Sequence, residues 1–148
     1  MGSATTNAAK GESGEAAKRS LALRLHARPE SARILREQVR AWLEETGAKG
    51  REIFELLLAT TEAFTNAVEH PHEPTSHLVE VKASLSDGRV TISIHDYGTW
   101  QSEHTRKEQG GLGLELMEAL MDTVHVGCDV DGTTVTMQRW LAMRSRCQ

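Results

Sequence analysis

The amino-acid pattern predicts an α+β protein, a two-layer α/β sandwich in which a mainly antiparallel mixed sheet is covered on one face by three helices. Three observations carry this prediction. Two pairs of strand-like segments are joined by short turn signals, Ser86-Asp87-Gly88 and Asp131-Gly132, as in β-hairpins. The strand-like segments alternate apolar and polar residues, so each buries one side only. Between them lie three segments whose apolar residues recur at helical spacing.

Residues 1–19 (MGSATTNAAKGESGEAAKR) contain no large apolar side chain apart from Met1. Such a stretch cannot bury enough surface to offset its ordering entropy, so it is expected to be a disordered tail. Ser20 to Ala27 alternates and reads as the first strand. Pro29 opens a helix carrying Ile34, Leu35, Val39, Trp42 and Leu43, and Gly47 and Gly50 close it. A second helix follows from Arg51 to His70, with an apolar stripe of Ile53, Phe54, Leu57, Phe64 and Val68, and Pro71 and Pro74 stop it. Leu78–Leu85 and Arg89–His95 form the first hairpin. Asp96 to Gln109 is polar and without period, hence a loop. Gly111 opens a third helix with Leu112, Leu116, Met117, Leu120 and Met121. Val124–Cys128 and Thr133–Trp140 pair across Asp131-Gly132. Residues 20–142 are the expected folded domain and 143–148 a short tail. Trp42 and Trp140 are expected to pack inside.

A chain of 148 residues suits one domain with a sizeable core. Its net charge of −4 provides no global basic field for nucleic acid or an anionic membrane. No apolar run approaches the ~18 residues of a membrane span, and no signal peptide is evident. Cys128 and Cys147 are too few for a disulfide framework and read as free thiols. A cytoplasmic location is therefore expected.

Three segments offer chemistry. Glu62, Asn66 and His70 follow one another at about 40° steps around the second helix, on one face. A carboxylate and a carboxamide one turn apart offer oxygen ligands for a hard cation such as Mg²⁺, and the carboxylate can serve as a general base. A solvated polar face is the alternative. In Ile94-His95-Asp96-Tyr97-Gly98, an acid at a strand end precedes a glycine that lets a ligand approach the backbone, although an ordinary turn has the same pattern. Gly110-Gly111-Leu112-Gly113-Leu114 lies where a loop enters a helix, a place for a phosphate cradle or for a hinge. The Walker and Rossmann glycine patterns are absent. His70-Pro71-His72, with His77, His95, His104 and His125, is a weaker candidate for zinc, lacking a nearby cysteine or regular ligand spacing. His72 and His77 are expected in an exposed loop and His70 at the helix end.

Taken together, Glu62 through His70 resembles the N box of the GHKL ATPases, whose fold is the Bergerat ATP-binding fold. Asp96-Tyr97-Gly98 resembles their first glycine box, Gly111-Leu112-Gly113-Leu114 the second, and Gly132-Thr133-Thr134-Val135 the threonine motif of the final strand. The short inter-box loop and the helix from Gly111 to Asp122 are most similar to anti-sigma-factor serine/threonine kinases of the RsbW type. The resemblance implies ATP and Mg²⁺ as cofactors. It implies that Asn66 binds Mg²⁺, that Glu62 is the catalytic residue activating the attacking hydroxyl, and that Asp96, with Thr133, receives the adenine amino group. Gly98 would admit adenine, and Gly110, Gly111, Leu112, Gly113 and Leu114 would wrap the phosphates, with His70 at the edge of the site. Gln109 stands where relatives can carry an arginine and cannot neutralise a γ-phosphate, which leaves Arg106 or Lys107 as candidate cations. The implied partners are a STAS-domain anti-anti-sigma protein, a sigma factor and a second copy in a homodimer, without direct nucleic-acid or membrane contact. The alternative is an ATP-binding partner-switching module without efficient phosphoryl transfer.

Overall fold

Leucine alternates with polar residues along β1 (Arg19–His26), so Leu21, Leu23 and Leu25 turn inward together. The same period buries Val79, Val81 and Ala83 on β2 (Leu78–Ser86) and Val90, Ile92 and Ile94 on β3 (Arg89–Asp96). β4 (Thr123–Asp129) and β5 (Gly132–Trp140) complete a sheet of order β1-β2-β3-β5-β4, each neighbouring pair antiparallel. The computed structural model describes residues 19–69, 74–98 and 113–142.

Helices cover one face of this sheet. α1 (Ser31–Thr46) lies on β1, and α2 (Gly50–Glu69) lies on β2 and β3. A third helix, α3, is described over 113–120 and adds Met117 to the core. Phe64, Leu56, Leu35 and Leu43 are fully buried against the strands. Two glycine-dependent turns fix the connections. Gly47 ends α1 in the left-handed conformation, φ 83°, and its N–H bonds the carbonyl of Glu44. Asp87 and Gly88 have φ of 51° and 78°, the two positive values of a type I′ hairpin turn. No described helix is long and apolar enough to cross a membrane.

Three expectations are corrected. Phe54 is 66% exposed: Ile53 takes the inward position, and adjacent residues on a helix diverge by about 100°. Trp140 is also outward, with the Arg89 guanidinium 5.3 Å from its ring, whereas Trp42 is buried. Inward places on β5 go to Met137 and, as the alternation continues, Arg139, which leaves Trp140 on the other side. The second hairpin turns one residue earlier, at Val130-Asp131, and Gly132 belongs to β5, opposite Asp129.

Candidate functional site

The polar face of α2 meets the first described turn of α3. Glu62 and Asn66 are both half-buried, and Gly113 is buried against them. A Cβ on Gly113 would stand 2.8 Å from Glu62 Oε1 and 2.9 Å from Asn66 Nδ2. Any added side chain at this approach would displace the ends of those two side chains. The carboxylate and the carboxamide therefore share one small volume with the first described turn of α3. Among the described residues, no protein group hydrogen-bonds either side chain. Leu114, next on α3, is partly exposed.

A second group gathers where β3 ends. Asp96 Oδ1 accepts the N–H of Gly98 at 2.9 Å, which folds the chain back in an Asx turn. Gly98 is buried, and Thr133, 4% exposed, sits directly across the sheet from Asp96. Gly132 secures this junction. Its φ is +143°, and a Cβ there would stand 1.9 Å from the carbonyl oxygen of Asp96. The glycine read as a turn residue is thus required by close packing of β5 on the end of β3.

The uncovered face of the sheet supports that strand end. Tyr97 hydrogen-bonds Glu80, which also takes two bonds from Arg24, at 2.9 and 3.1 Å. Its bond to Glu80, with partial burial and the carboxylate charge, raises the Tyr97 phenol above its usual range. Burial pushes Glu80 up, but the bonds from Tyr97 and Arg24 outweigh it, and its carboxyl is held low. His95 stands edge-on to Tyr97, ring centroids 4.7 Å apart, and its Nδ1 lies 2.7 Å from Thr134 Oγ1. The Tyr97 carbonyl accepts the Thr75 N–H at 3.0 Å. Sequence reading singled out none of these supports beyond the bare motif, because Arg24, Glu80 and Thr134 come from three other strands.

The first half of α2 carries two further carboxylates. Glu52, 7% exposed, accepts the N–H of Lys49 at 2.9 Å and that of Ala142 at 2.7 Å. The first bond is the return half of a capping box, but Lys49 stands where its Ser or Thr would be, so neither bond was legible in the sequence. Glu55 accepts from Arg51 at 2.9 Å and from Arg139 at 2.6 Å. These two bonds hold the Glu55 carboxyl below the usual carboxylate value.

This layout matches known proteins. Residues 25–139 match the family described as histidine kinase-like ATPase domain. The chain belongs to that family. Within it the chain falls with the RsbW kinases. It is 34% identical over 132 residues to the serine-protein kinase RsbW of Bacillus licheniformis, covering 78% of this chain and 81% of that one. It is 31% identical over 135 residues to the protein of the same name from Bacillus subtilis, covering 80% and 84%. The fold superposes on a crystal structure of the RsbU and RsbW domains of a Mycobacterium tuberculosis protein, with a TM-score of 0.70 and 34% identity. That match covers 86% of this chain and 34% of the other, so the chain spans about a third of that longer protein. Membership makes this histidine kinase-like ATPase domain an ATP-using protein kinase of the serine/threonine class.

Of the site residues expected from sequence, the described part of the fold brings Glu62, Asn66 and Gly113 into contact and sets Asp96, Gly98 and Thr133 together at the end of β3. His70, Arg106, Lys107, Gly110, Gly111 and Leu112 lie outside the described residues, as do Gln109 and His72. His77 is exposed, and Cys128 is an exposed free thiol.

Proposed function

We propose that this protein transfers the γ-phosphoryl group of Mg²⁺–ATP to a serine or threonine of a STAS-domain anti-anti-sigma protein, and alternately sequesters a sigma factor. The unit that does so is the domain over residues 20–142, acting as a cytoplasmic homodimer. The observation that carries the proposal is the seating of Gly113 on Glu62 and Asn66. It brings a carboxylate, a carboxamide and the α3 backbone together in one small volume, which supports their reading as base, metal ligand and phosphate contact.

The residues fit the nucleotide. Asn66 would supply a hard oxygen for Mg²⁺, and Gly113 lets the α3 backbone approach that pair closely. ATP with its metal supplies the transferable phosphoryl group and the charge neutralisation for a transfer that otherwise needs mainly positioning. Glu62 orients the incoming hydroxyl and takes its proton. Asp96, already holding the Gly98 N–H, receives the adenine amino group, with Thr133 beside it. Gly98 admits the flat face of the base. Gly110, Gly111, Leu112 and Leu114 continue the phosphate wrap, Arg106 or Lys107 provides the cation, and His70 closes the edge.

The test incubates the protein with Mg²⁺–ATP and a cognate STAS protein. Phosphoserine or phosphothreonine is expected on the partner, and Glu62→Gln should abolish it while nucleotide binding persists. Absence of the phosphoamino acid, or a Glu62→Gln protein equal to wild type, overturns the kinase reading. Gln109, in place of a cation, motivates the second reading, a non-catalytic ATP-binding switch. That reading predicts tight nucleotide binding and partner capture without phosphate turnover.

A further inference from the structure

Glu55 and Glu62 lie about two turns apart on nearly the same face of α2, and Gly113 and Leu120 are separated by the same interval on α3, roughly 10.5 Å in each case. The two intervals are matched end to end. Gly113 rests on Glu62 and Asn66. At the other end Arg139 reaches from β5 and donates from one nitrogen both to Glu55 Oε2, at 2.6 Å, and to the backbone carbonyl of Leu120, at 3.3 Å. α3 therefore runs antiparallel along the polar stripe of α2, with one end at the candidate catalytic pair and the other held by an arginine.

We infer that Arg139 is a positioning residue: its clasp on Glu55 and Leu120 sets α3 against α2 and so fixes how Gly113 seats on Glu62 and Asn66. Several features of the structure support this. Both partners of the ion pair are mostly shielded, with side-chain exposures of 17% and 19%, unlike the 66% of Arg24 in its own pair with Glu80. A cation at the carboxyl end of a helix also matches the helix dipole. The chain leaving α3 is tied to the same strand, since Asp122 N–H bonds the Gln138 carbonyl at 2.9 Å and Asp122 Oδ2 accepts the Trp140 N–H at 2.6 Å. With that end fixed, a small tilt of α3 is felt at Gly113, where it displaces the ends of the Glu62 and Asn66 side chains. Displacements of about an ångström at a reacting centre reduce rates by about 100-fold.

The inference rests on the nucleotide reading above, and the test separates the two. ATP affinity is measured by calorimetric titration and adenosine affinity by NMR chemical-shift titration, for the wild type, Arg139→Met, Arg139→Lys and Glu55→Gln. Adenosine engages only the Asp96–Gly98 end, so a tilt of α3 should leave it within twofold of wild type. ATP should bind about tenfold more weakly to Arg139→Met and about threefold more weakly to Glu55→Gln, with partial recovery in Arg139→Lys. Equal weakening of both ligands, or ATP binding unchanged in both Arg139→Met and Glu55→Gln, overturns the inference. If Arg139→Met does not fold, Glu55→Gln alone decides by the same ratio. A wild-type protein that binds adenosine and ATP equally, or neither, overturns the nucleotide reading itself.

Discussion

The two halves of α2 use the same side-chain chemistry for opposite ends. In the first half, Glu52 and Glu55 accept four protein hydrogen bonds, from Lys49, Ala142, Arg51 and Arg139. In the second half, Glu62 and Asn66 face a glycine, and no described protein group hydrogen-bonds them. Glu52 is buried and Glu55 partly shielded, and every one of these bonds stays within the protein, so the first pair is structural. A half-buried carboxylate with no hydrogen-bond partner among the described residues, beside the first described turn of α3, suits a ligand site. One helix thus carries a strut and a site, and the difference lies in what the rest of the chain brings to each.

Gly113→Ala is the strongest test of that contrast. The added Cβ meets only the ends of the Glu62 and Asn66 side chains, so the fold should survive, with thermal stability unchanged or slightly raised. Phosphoryl transfer should fall by about 100-fold, because the same atoms must move. An alanine protein with full activity would break the assignment of this end as the site. Glu52→Ala should do the reverse. It orphans two N–H groups and should destabilise the protein by about 2 kcal/mol in urea unfolding, with ATP affinity unchanged.

A smaller effect is expected from acid. Bonds from Arg51 and Arg139 depress the folded-state pKa of Glu55 below its unfolded value of about 4.3. A depressed carboxyl contributes stability that is present above the unfolded pKa and is lost as pH falls through the folded one. The stability gap between wild type and Glu55→Gln should therefore be full near pH 6 and close below about pH 4. A gap independent of pH would show that the ion pair is not what Glu55 contributes. The smallest change is expected on the solvent side of the same helix. Phe54→Ser should alter stability by less than about 0.5 kcal/mol, since the ring is largely exposed.

Much of this was legible beforehand because it depends on neighbours in sequence. Alternation along β1 to β3, the Asp87-Gly88 turn and the one-turn spacing of Glu62 and Asn66 are local properties, and the structure bears out the fold they predict. The order of the three boxes pointed to the family without coordinates. The errors also have local causes. Ile53 and Phe54 are equally apolar, and only the position of the sheet decides which turns inward. The parity of β5 gives Arg139 the inner place and Trp140 the outer one, which no hydropathy pattern weighs correctly when an arginine has a part-shielded carboxylate waiting.

The sequence by itself determined the elements, the turn chemistry and the identity of the polar groups on α2, since each follows from residues within a few positions of one another. The tertiary structure alone decided that Gly113 rests on Glu62 and Asn66, that Gly132 locks against Asp96, and that Arg139 joins Glu55 to the end of α3. Those contacts join residues far apart in the chain, and their geometry exists only once the helices lie on the sheet.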